Sequence, residues 1–225
     1  QWKEESLEGL QKVCHRINLD GTDSKHIFET ISERGNLADE INKIVNEKEI
    51  DLVVMGNSGR SEIDAILMGS SALDTIDRVK KCPVMTVPKD VDFEPLKEIA
   101  FVTDYQRPFA AELLRPLFFM ANRYKSKIRI MHINEEEVLD KYQTKNRSTL
   151  TKFLLPFEHT FHWMPLFKSK ATAINLFLEE HEVDLLVMVN NEHSFFERMT
   201  REPIIKRVVF NNTIPFLVLP HNTSN

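Results

Sequence analysis

The chain has 225 residues, of which 28% are charged and 42% hydrophobic, and a formal net charge of −5. This composition predicts one large globular domain or two small ones. No apolar run reaches the roughly 18 residues of a membrane-spanning helix. Two cysteines are too few for a disulfide framework, so we expect a cytoplasmic protein. Only six residues are glycine, and none follows Ser70, so a glycine-built loop can occur only in the first third of the chain.

Charge and aromatic residues divide unevenly along the chain. Residues 1–92 hold 12 basic and 18 acidic residues and one phenylalanine, Phe28. Residues 93–225 hold 17 basic and 16 acidic residues and the other 14 phenylalanines. Neither half has the basic excess of a nucleic-acid-binding surface, which argues against such a partner. We therefore expect two domains, 1–92 and 93–225.

An internal repeat supports this division. The stretch Ile50–Gly56 (IDLVVMG) matches Val183–Val189 (VDLLVMV) at an offset of 133 residues. Farther along, Cys82–Pro88 (CPVMTVP) matches Ile214–Pro220 (IPFLVLP) at an offset of 132. Two matches at nearly one offset indicate a tandem duplication.

The hydrophobic pattern of the first half alternates between helices and strands. In chain order it predicts a helix near Glu5–His15, a strand at His26–Ile31, a helix at Leu37–Glu47, a strand at Asp51–Met55, a helix at Ser71–Lys80 and a strand at Pro83–Val87.

The second half is predicted to be a complete five-stranded domain. Its strands are expected at Glu98–Asp104, Lys127–Ile133, Thr160–Phe167, Asp184–Val189 and Pro215–Leu219. Its helices are expected at Phe109–Tyr124, Leu139–Phe157, Thr172–His181 and Phe195–Phe210. Strands that alternate with helices imply a mostly parallel sheet covered on both faces, which is a doubly wound α/β fold.

The first half is shorter than the second. Projecting the strand at Glu98–Asp104 back by the repeat offset places its counterpart before Gln1. We therefore expect these residues to lack the opening strand–helix–strand of the first domain. An additional segment or another chain is expected to complete that domain, or part of it stays unfolded.

A glycine pattern joins the strand at Asp51–Met55 to the next helix. Gly56 and Gly59 follow the strand, and Gly69 precedes Ser70 and Ser71 at the helix start. The carboxyl end of a parallel strand followed by a helix N-terminus is where doubly wound folds bind phosphate groups. Ordinary turn and cap glycines would produce the same pattern. On spacing alone, both interpretations stay open.

Residues 51–88 (DLVVMGNSGRSEIDAILMGSSALDTIDRVKKCPVMTVP) resemble the C-terminal signature of the universal stress protein family. The ATP-binding members of that family carry G-x2-G-x9-G-[ST], which Gly56, Gly59, Gly69 and Ser70 match in spacing. The resemblance implies two tandem five-stranded sheets in the strand order 3-2-1-4-5. It also implies that the last strands, Pro83–Val87 and Pro215–Leu219, pair domains or subunits edge to edge, and that the protein is a homo-oligomer such as a dimer.

The resemblance further implies an adenine nucleotide ligand, ATP or AMP, with or without Mg²⁺. The four matching residues would hold the ribose and the phosphates. Arg60 is a candidate phosphate contact, although a solvated loop charge is equally open, and Met55 and Ser71 are secondary candidates.

The second half departs from this pattern. The repeat offset places Val189, Glu192, Glu202 and Pro203 where the first half has its loop residues. Two carboxylates and a proline oppose phosphate binding, so we expect a degenerate site there. Asp104 corresponds to the acidic residue at the end of the family's first strand, and we expect it to be a relic or a helix cap.

The sequence thus predicts a nucleotide-binding regulatory protein of the stress response. No nucleophile–base pair or metal cluster is evident, so turnover is expected to be slow or absent. The alternatives are an interaction scaffold of the same fold that binds no nucleotide and, less favoured, an adenylate-handling enzyme. Cys82, beside Lys80 and Lys81, is expected to be a packed thiol rather than a reactive one.

Overall fold

The computed structural model describes residues 2–20, 26–57, 69–89, 91–92, 94–134, 138–165, 170–190 and 214–220. Its helices are α1 (Trp2–Asp20), α2 (Leu37–Glu47), α3 (Ser70–Arg78), α4 (Ala111–Tyr124), α5 (Lys141–Leu154) and α6 (Lys170–Glu180). Its strands are β1 (Val53–Gly56), β2 (Val84–Val87), β3 (Glu98–Val102), β4 (Lys127–Asn134), β5 (His159–Pro165), β6 (Leu185–Asn190) and β7 (Phe216–Pro220). The predicted helix at Phe195–Phe210 lies outside the described residues.

The helix boundaries follow from local capping signals. Asn36 precedes α2, and its side-chain oxygen accepts hydrogen bonds from the backbone N–H groups of Ala38 and Asp39. Asp140 and Gln143 form a reciprocal capping box at the start of α5. These contacts satisfy backbone donors that a helix start otherwise leaves without partners.

The strands form one seven-stranded sheet in the order β1-β2-β7-β6-β3-β4-β5. All neighbouring strands are parallel except β2 and β7, which pair antiparallel with Met85 opposite Leu217. The last strands of the two halves therefore pair edge to edge within the chain, as predicted. This pairing joins the two expected sheets into one, because it satisfies an edge of each.

The second half has the predicted strand order. Numbered within residues 98–220, its five strands lie in the order 3-2-1-4-5, with β3 in the centre. Asp184, which precedes β6, contacts the start of β3. Its carboxylate accepts hydrogen bonds from the backbone N–H groups of Lys97 (2.6 Å) and Glu98 (2.8 Å). The amino ends of β3 and β6 are thereby held together.

In the first half only two of the predicted strands form. The expected strand at His26–Ile31 has no regular structure, and Ile27 is 96% exposed. In the order 3-2-1-4-5 the third strand pairs only with the second, and no described residues supply that second strand. Without a neighbour, the backbone groups of this apolar stretch have no ladder to join.

The sheet carries a hydrophobic core on each face. The first core packs α2, α3 and α6 against one face, with Val45, Ile76 and Phe177 among its buried members. The second core packs α4 and α5 against the other face, with Leu114 and Leu150 fully buried. The first core mixes buried residues from both sides of the predicted 92/93 boundary, and Leu52 and Met85 pack against the second, so the two halves share their interior.

The buried His132 and the partly buried His162 make the stability of the fold depend on pH. Burial lowers the pKa of His162, and the charge of His181, whose ring lies 4.9 Å away, lowers it further. Burial also lowers the pKa of His132. At acidic pH the folded state thus binds fewer protons than the unfolded chain, whose histidines have a pKa of about 6.5. The stabilising contribution of the two neutral histidines to the free energy of unfolding is therefore complete above that pH and is lost as the pH falls below it.

We therefore expect the free energy of unfolding to be lower at pH 5 than at pH 7.5 in urea titrations. His162→Phe should flatten this dependence, because it removes one titrating group from between Phe177 and His181. The matched variant His26→Phe, at an exposed position, should leave the dependence unchanged. An unaltered slope in His162→Phe would contradict the assignment.

Candidate functional site

The carboxyl end of β1 meets the start of α3. Asn57 follows the strand, is 4% exposed, and donates its backbone N–H to the Val87 carbonyl of β2 at 3.0 Å. The Gly69 N–H in turn donates to the Asn57 carbonyl at 2.6 Å. Asn57 and Gly69, which flank the undescribed residues 58–68, are therefore neighbours at the carboxyl end of β1.

The first turn of α3 presents free backbone donors. Gly69 is its N-cap, and the Gly69 carbonyl accepts from Ala72 (3.0 Å) and Leu73 (3.1 Å), without a side-chain cap. The N–H groups of Ser70 and Ser71 precede the first intrahelical bonds, and both side chains are exposed. These N–H groups and the helix dipole give this corner a partial positive charge that favours anions.

Gly56 leaves open space beside this corner. It is exposed, and a Cβ added to it would meet no atom within 4 Å. No described glycine has a positive φ, so neither backbone conformation nor packing among the described residues requires glycine here. The space at the Cβ position of Gly56 is thus free of described atoms, and the described residues fit a phosphate or ribose that approaches the backbone there.

The side chain of Met55 lies on the opposite face of the sheet from Gly56. Its side chain is partly buried and packs against the first hydrophobic core. Successive side chains of a strand alternate between faces, so Met55 and Gly56 present opposite sides. Its role as a nucleotide contact stays a prediction. The predicted site residues Gly59 and Arg60 lie outside the described residues, and the structure places only Met55, Gly56, Gly69, Ser70 and Ser71.

The corresponding edge of the second half is described only in part. Val189, the counterpart of Gly56, lies in β6 and packs against the second core. The predicted degenerate positions Glu192, Glu202 and Pro203 lie outside the described residues. The degeneracy of this second site therefore stays a prediction.

Asp104 does not cap a helix. The residue that precedes α4 as its N-cap is Ala110. Asp104 instead accepts a hydrogen bond from the Gln106 backbone N–H at 3.0 Å, which closes a tight turn after β3. The expectation of a capping role is wrong because six residues separate this aspartate from the helix start, whereas aspartate side chains readily bond the backbone two residues ahead.

The structure also brings together residues that the sequence did not single out. Tyr105, His132 and Arg147 line a small cavity at the carboxyl ends of β3 and β4. They come from three separate elements, so no spacing in the sequence links them. In the described part of the chain, no group of three or more His, Cys, Asp or Glu side chains could hold a metal ion. None of the described helices has the length and apolar composition needed to cross a bilayer.

Cys82 is a packed thiol, as expected. It is 2% exposed, and burial raises its pKa to about 11, whereas Cys14 is partly exposed. A rise of about two pKa units lowers the reactive thiolate fraction about 100-fold. We expect iodoacetamide at pH 7.5 to modify the partly exposed Cys14 much faster than the buried Cys82, as followed by peptide mass spectrometry. In urea both should react; equal rates in the native protein would contradict this.

The mostly parallel sheet with helices on both faces defines a Rossmann-like α/β protein. Residues 3–88 match the model of the universal stress protein family. This part of the chain is therefore similar to the universal stress protein family.

Solved structures agree with this fold along nearly the whole chain. A universal stress protein from Archaeoglobus fulgidus DSM 4304 is 20% identical, with a TM-score of 0.69, over 99% of this chain and 78% of that chain. A functionally unknown protein from Pseudomonas aeruginosa PAO1 is 11% identical, with a TM-score of 0.60, over 94% of this chain and 76% of that one. At these identities the similarity shows the fold alone. A comparison with curated proteins found no match.

Proposed function

We propose that the chain is a regulatory module of the stress response that binds ATP or AMP at the corner between β1 and α3. The observation that carries this proposal is the 2.6 Å hydrogen bond from the Gly69 N–H to the Asn57 carbonyl. This bond places Asn57 and Gly69, the residues that flank 58–68, next to the first turn of α3. Such a corner matches the anion-binding arrangement at the switch points of doubly wound folds.

The proposed roles follow from the donors at this corner. Gly56, Gly59 and Gly69 allow close approach of the ribose and phosphates, and Ser70 adds backbone and hydroxyl donors. Arg60, Ser71 and Met55 are further candidate contacts, and Mg²⁺ would accompany the phosphates where it is bound. The second half, from about residue 93, is proposed to be a tandem domain of the same fold that lacks this loop.

One observation favours the alternative of an interaction scaffold without nucleotide. No described strand pairs with the outer edge of β1, and Val54 in that strand is 58% exposed. In the second half the corresponding strand, β6, pairs with β3 on that side. If the adenine is held by residues from a strand beside β1, these 225 residues would bind phosphates weakly and act through protein contacts.

Isothermal titration calorimetry with ATP and AMP, each with and without Mg²⁺, tests the proposal. We expect saturable binding of at least one nucleotide, and competition between them for one site. If millimolar nucleotide produces neither heat of binding nor a shift in the unfolding temperature, nucleotide binding is overturned and the interaction scaffold is favoured. Continuous phosphate release during incubation with ATP would indicate an enzyme instead of a binding module.

We also propose a cytoplasmic location and a homo-oligomeric state. Both cysteines are free thiols, which suits a reducing compartment. The exposed edge of β1 and exposed apolar side chains such as Val13 and Ile17 of α1 offer surface for a further contact. Size-exclusion chromatography with light scattering would measure the oligomeric state, and a concentration-independent monomer would contradict this part of the proposal.

A further inference from the structure

A polar network builds a fixed turn where β3 ends. Tyr105 has a positive φ of 55°, which is uncommon for a residue other than glycine. Two buried amides of α5 hold this turn, since Gln143 donates to the Asp104 carbonyl (2.9 Å) and Asn146 donates to the Tyr105 carbonyl (2.7 Å). Backbone strain that is held by its surroundings is frequent at binding sites.

His132 of β4 lies against this turn with one ring nitrogen unused. The residue is 5% exposed, and its Nδ1 lies 3.0 Å from the Thr103 backbone carbonyl. A carbonyl only accepts, so Nδ1 carries the proton. Burial lowers the pKa of the ring, which keeps it neutral. The buried Nε2 is then an acceptor, and it has no hydrogen-bond partner.

An unpaired buried acceptor of this kind calls for an explanation. Leaving it unsatisfied is costly, and native proteins usually pair such atoms with protein, water or ligand. His132 lines a cavity of about 70 Å³ together with Tyr105 and Trp163. The cavity has room for a few non-hydrogen atoms that could supply the missing donor.

A positive charge borders the same cavity. Arg147 of α5 is one of its lining residues, and its guanidinium lies 4.8 Å from the centre of the Phe161 ring. Its charge acts on both Tyr105 and His132, as does that of Lys170 on His132, whereas Asp104 acts in the opposite sense on His132. Among the described lining residues, Arg147 alone carries a permanent charge, which favours an anionic ligand.

We propose that this cavity binds a small oxyanion that carries a hydroxyl group, of which hydrogen phosphate is the simplest. Its O–H donates to the free Nε2 of His132, and its charged oxygens accept from the Arg147 guanidinium. Guanidinium groups pair with phosphate and carboxylate oxygens through charge-assisted hydrogen bonds. The site lies in the second half of the chain, is built from β4, β5, α5 and the turn after β3, and does not depend on the proposed nucleotide site.

We expect an oxyanion that carries an O–H group to bind more tightly than one that carries none. Long-range ¹H–¹⁵N NMR of the His132 ring in the full chain would follow titrations with phosphate and with sulfate at pH 7 and constant ionic strength. Phosphate carries an O–H at this pH and sulfate carries none. We expect saturable shifts of the Nε2 resonance with phosphate and at least about tenfold weaker binding of sulfate, with Nδ1 still protonated.

Two arginine variants complete the test. Arg147→Met should weaken phosphate binding at least about tenfold, because it removes the charged donor and keeps much of the side-chain length. Arg123→Met is the matched control, since Arg123 also lies over an aromatic ring, that of Tyr124, at 5.9 Å, but not at the cavity. Equal responses to phosphate and sulfate, a linear response without saturation, or unchanged binding in Arg147→Met would overturn the proposal and leave a water-filled cavity.

Discussion

Replacing Leu217 with alanine is expected to lower the free energy of unfolding by about 2–5 kcal/mol. Leu217 is fully buried in the second core. It lies on β7 between Met85 of β2 and Val187 of β6, at the junction where the two halves share one sheet. The cavity left by the lost side chain would therefore weaken contacts of both halves at once. Urea denaturation followed by circular dichroism measures the effect.

The matched control is Leu155→Ala, because Leu155 is 73% exposed. The same change there should alter the free energy of unfolding by no more than about 0.5 kcal/mol. Tryptophan fluorescence and far-ultraviolet circular dichroism should change at one urea concentration. Equal effects of the two leucine variants, or well-separated transitions, would contradict the shared interior.

Gly56→Val is expected to abolish or weaken nucleotide binding at least about tenfold while leaving the fold intact. A valine side chain would meet no neighbouring atom at its Cβ and suits a strand. Its methyl groups would instead fill the space through which a phosphate or ribose approaches the backbone. Calorimetric titration with the tighter of ATP and AMP measures the loss, and thermal unfolding measures stability.

Gly9→Val provides the control for this variant. A Cβ at Gly9 of α1 would also meet no atom within 4 Å, and Gly9 is not part of the proposed site. Its nucleotide affinity should equal that of the unmodified chain. If Gly56→Val binds nucleotide as tightly as Gly9→Val, the proposed position of the phosphates is wrong.

Several elements could be predicted because their signals are local. The helix predicted at Leu37–Glu47 has those bounds in the structure, since Asn36 caps it and its apolar residues recur with helical spacing. The run at Lys127–Ile133 likewise becomes β4, extended by one residue to Asn134. In each case the residues that determine the element are close together in the chain.

The errors concern elements that depend on distant partners. The stretch His26–Ile31 has the composition of a strand, yet a strand also needs a neighbour for its backbone groups. The two expected sheets became one because β2 and β7, more than 125 residues apart in the sequence, pair with each other. No property of either segment alone distinguishes pairing within the chain from pairing between subunits.

The candidate sites likewise depend partly on local sequence signals and partly on contacts between distant segments. The glycine spacing of residues 56–69 could be read directly, and it indicated a loop between a strand and a helix. That Gly69 returns to Asn57 became visible only in the folded chain. The cavity beside His132 gave no sequence signal, because Tyr105, His132 and Arg147 are brought together only by the order of β3, β4 and α5.

The sequence by itself determined the α/β class, the repeat, the family resemblance and the glycines that mark one candidate loop. These depend on residue type, spacing and short-range hydrogen bonds. Only the tertiary structure decided that the halves share one sheet, that one predicted strand has no neighbour among the described residues, and that a buried imidazole nitrogen of a cavity-lining histidine has no partner. Those features depend on which backbone and side-chain groups meet across long sequence separations, and packing and hydrogen bonding settle that for the chain as a whole.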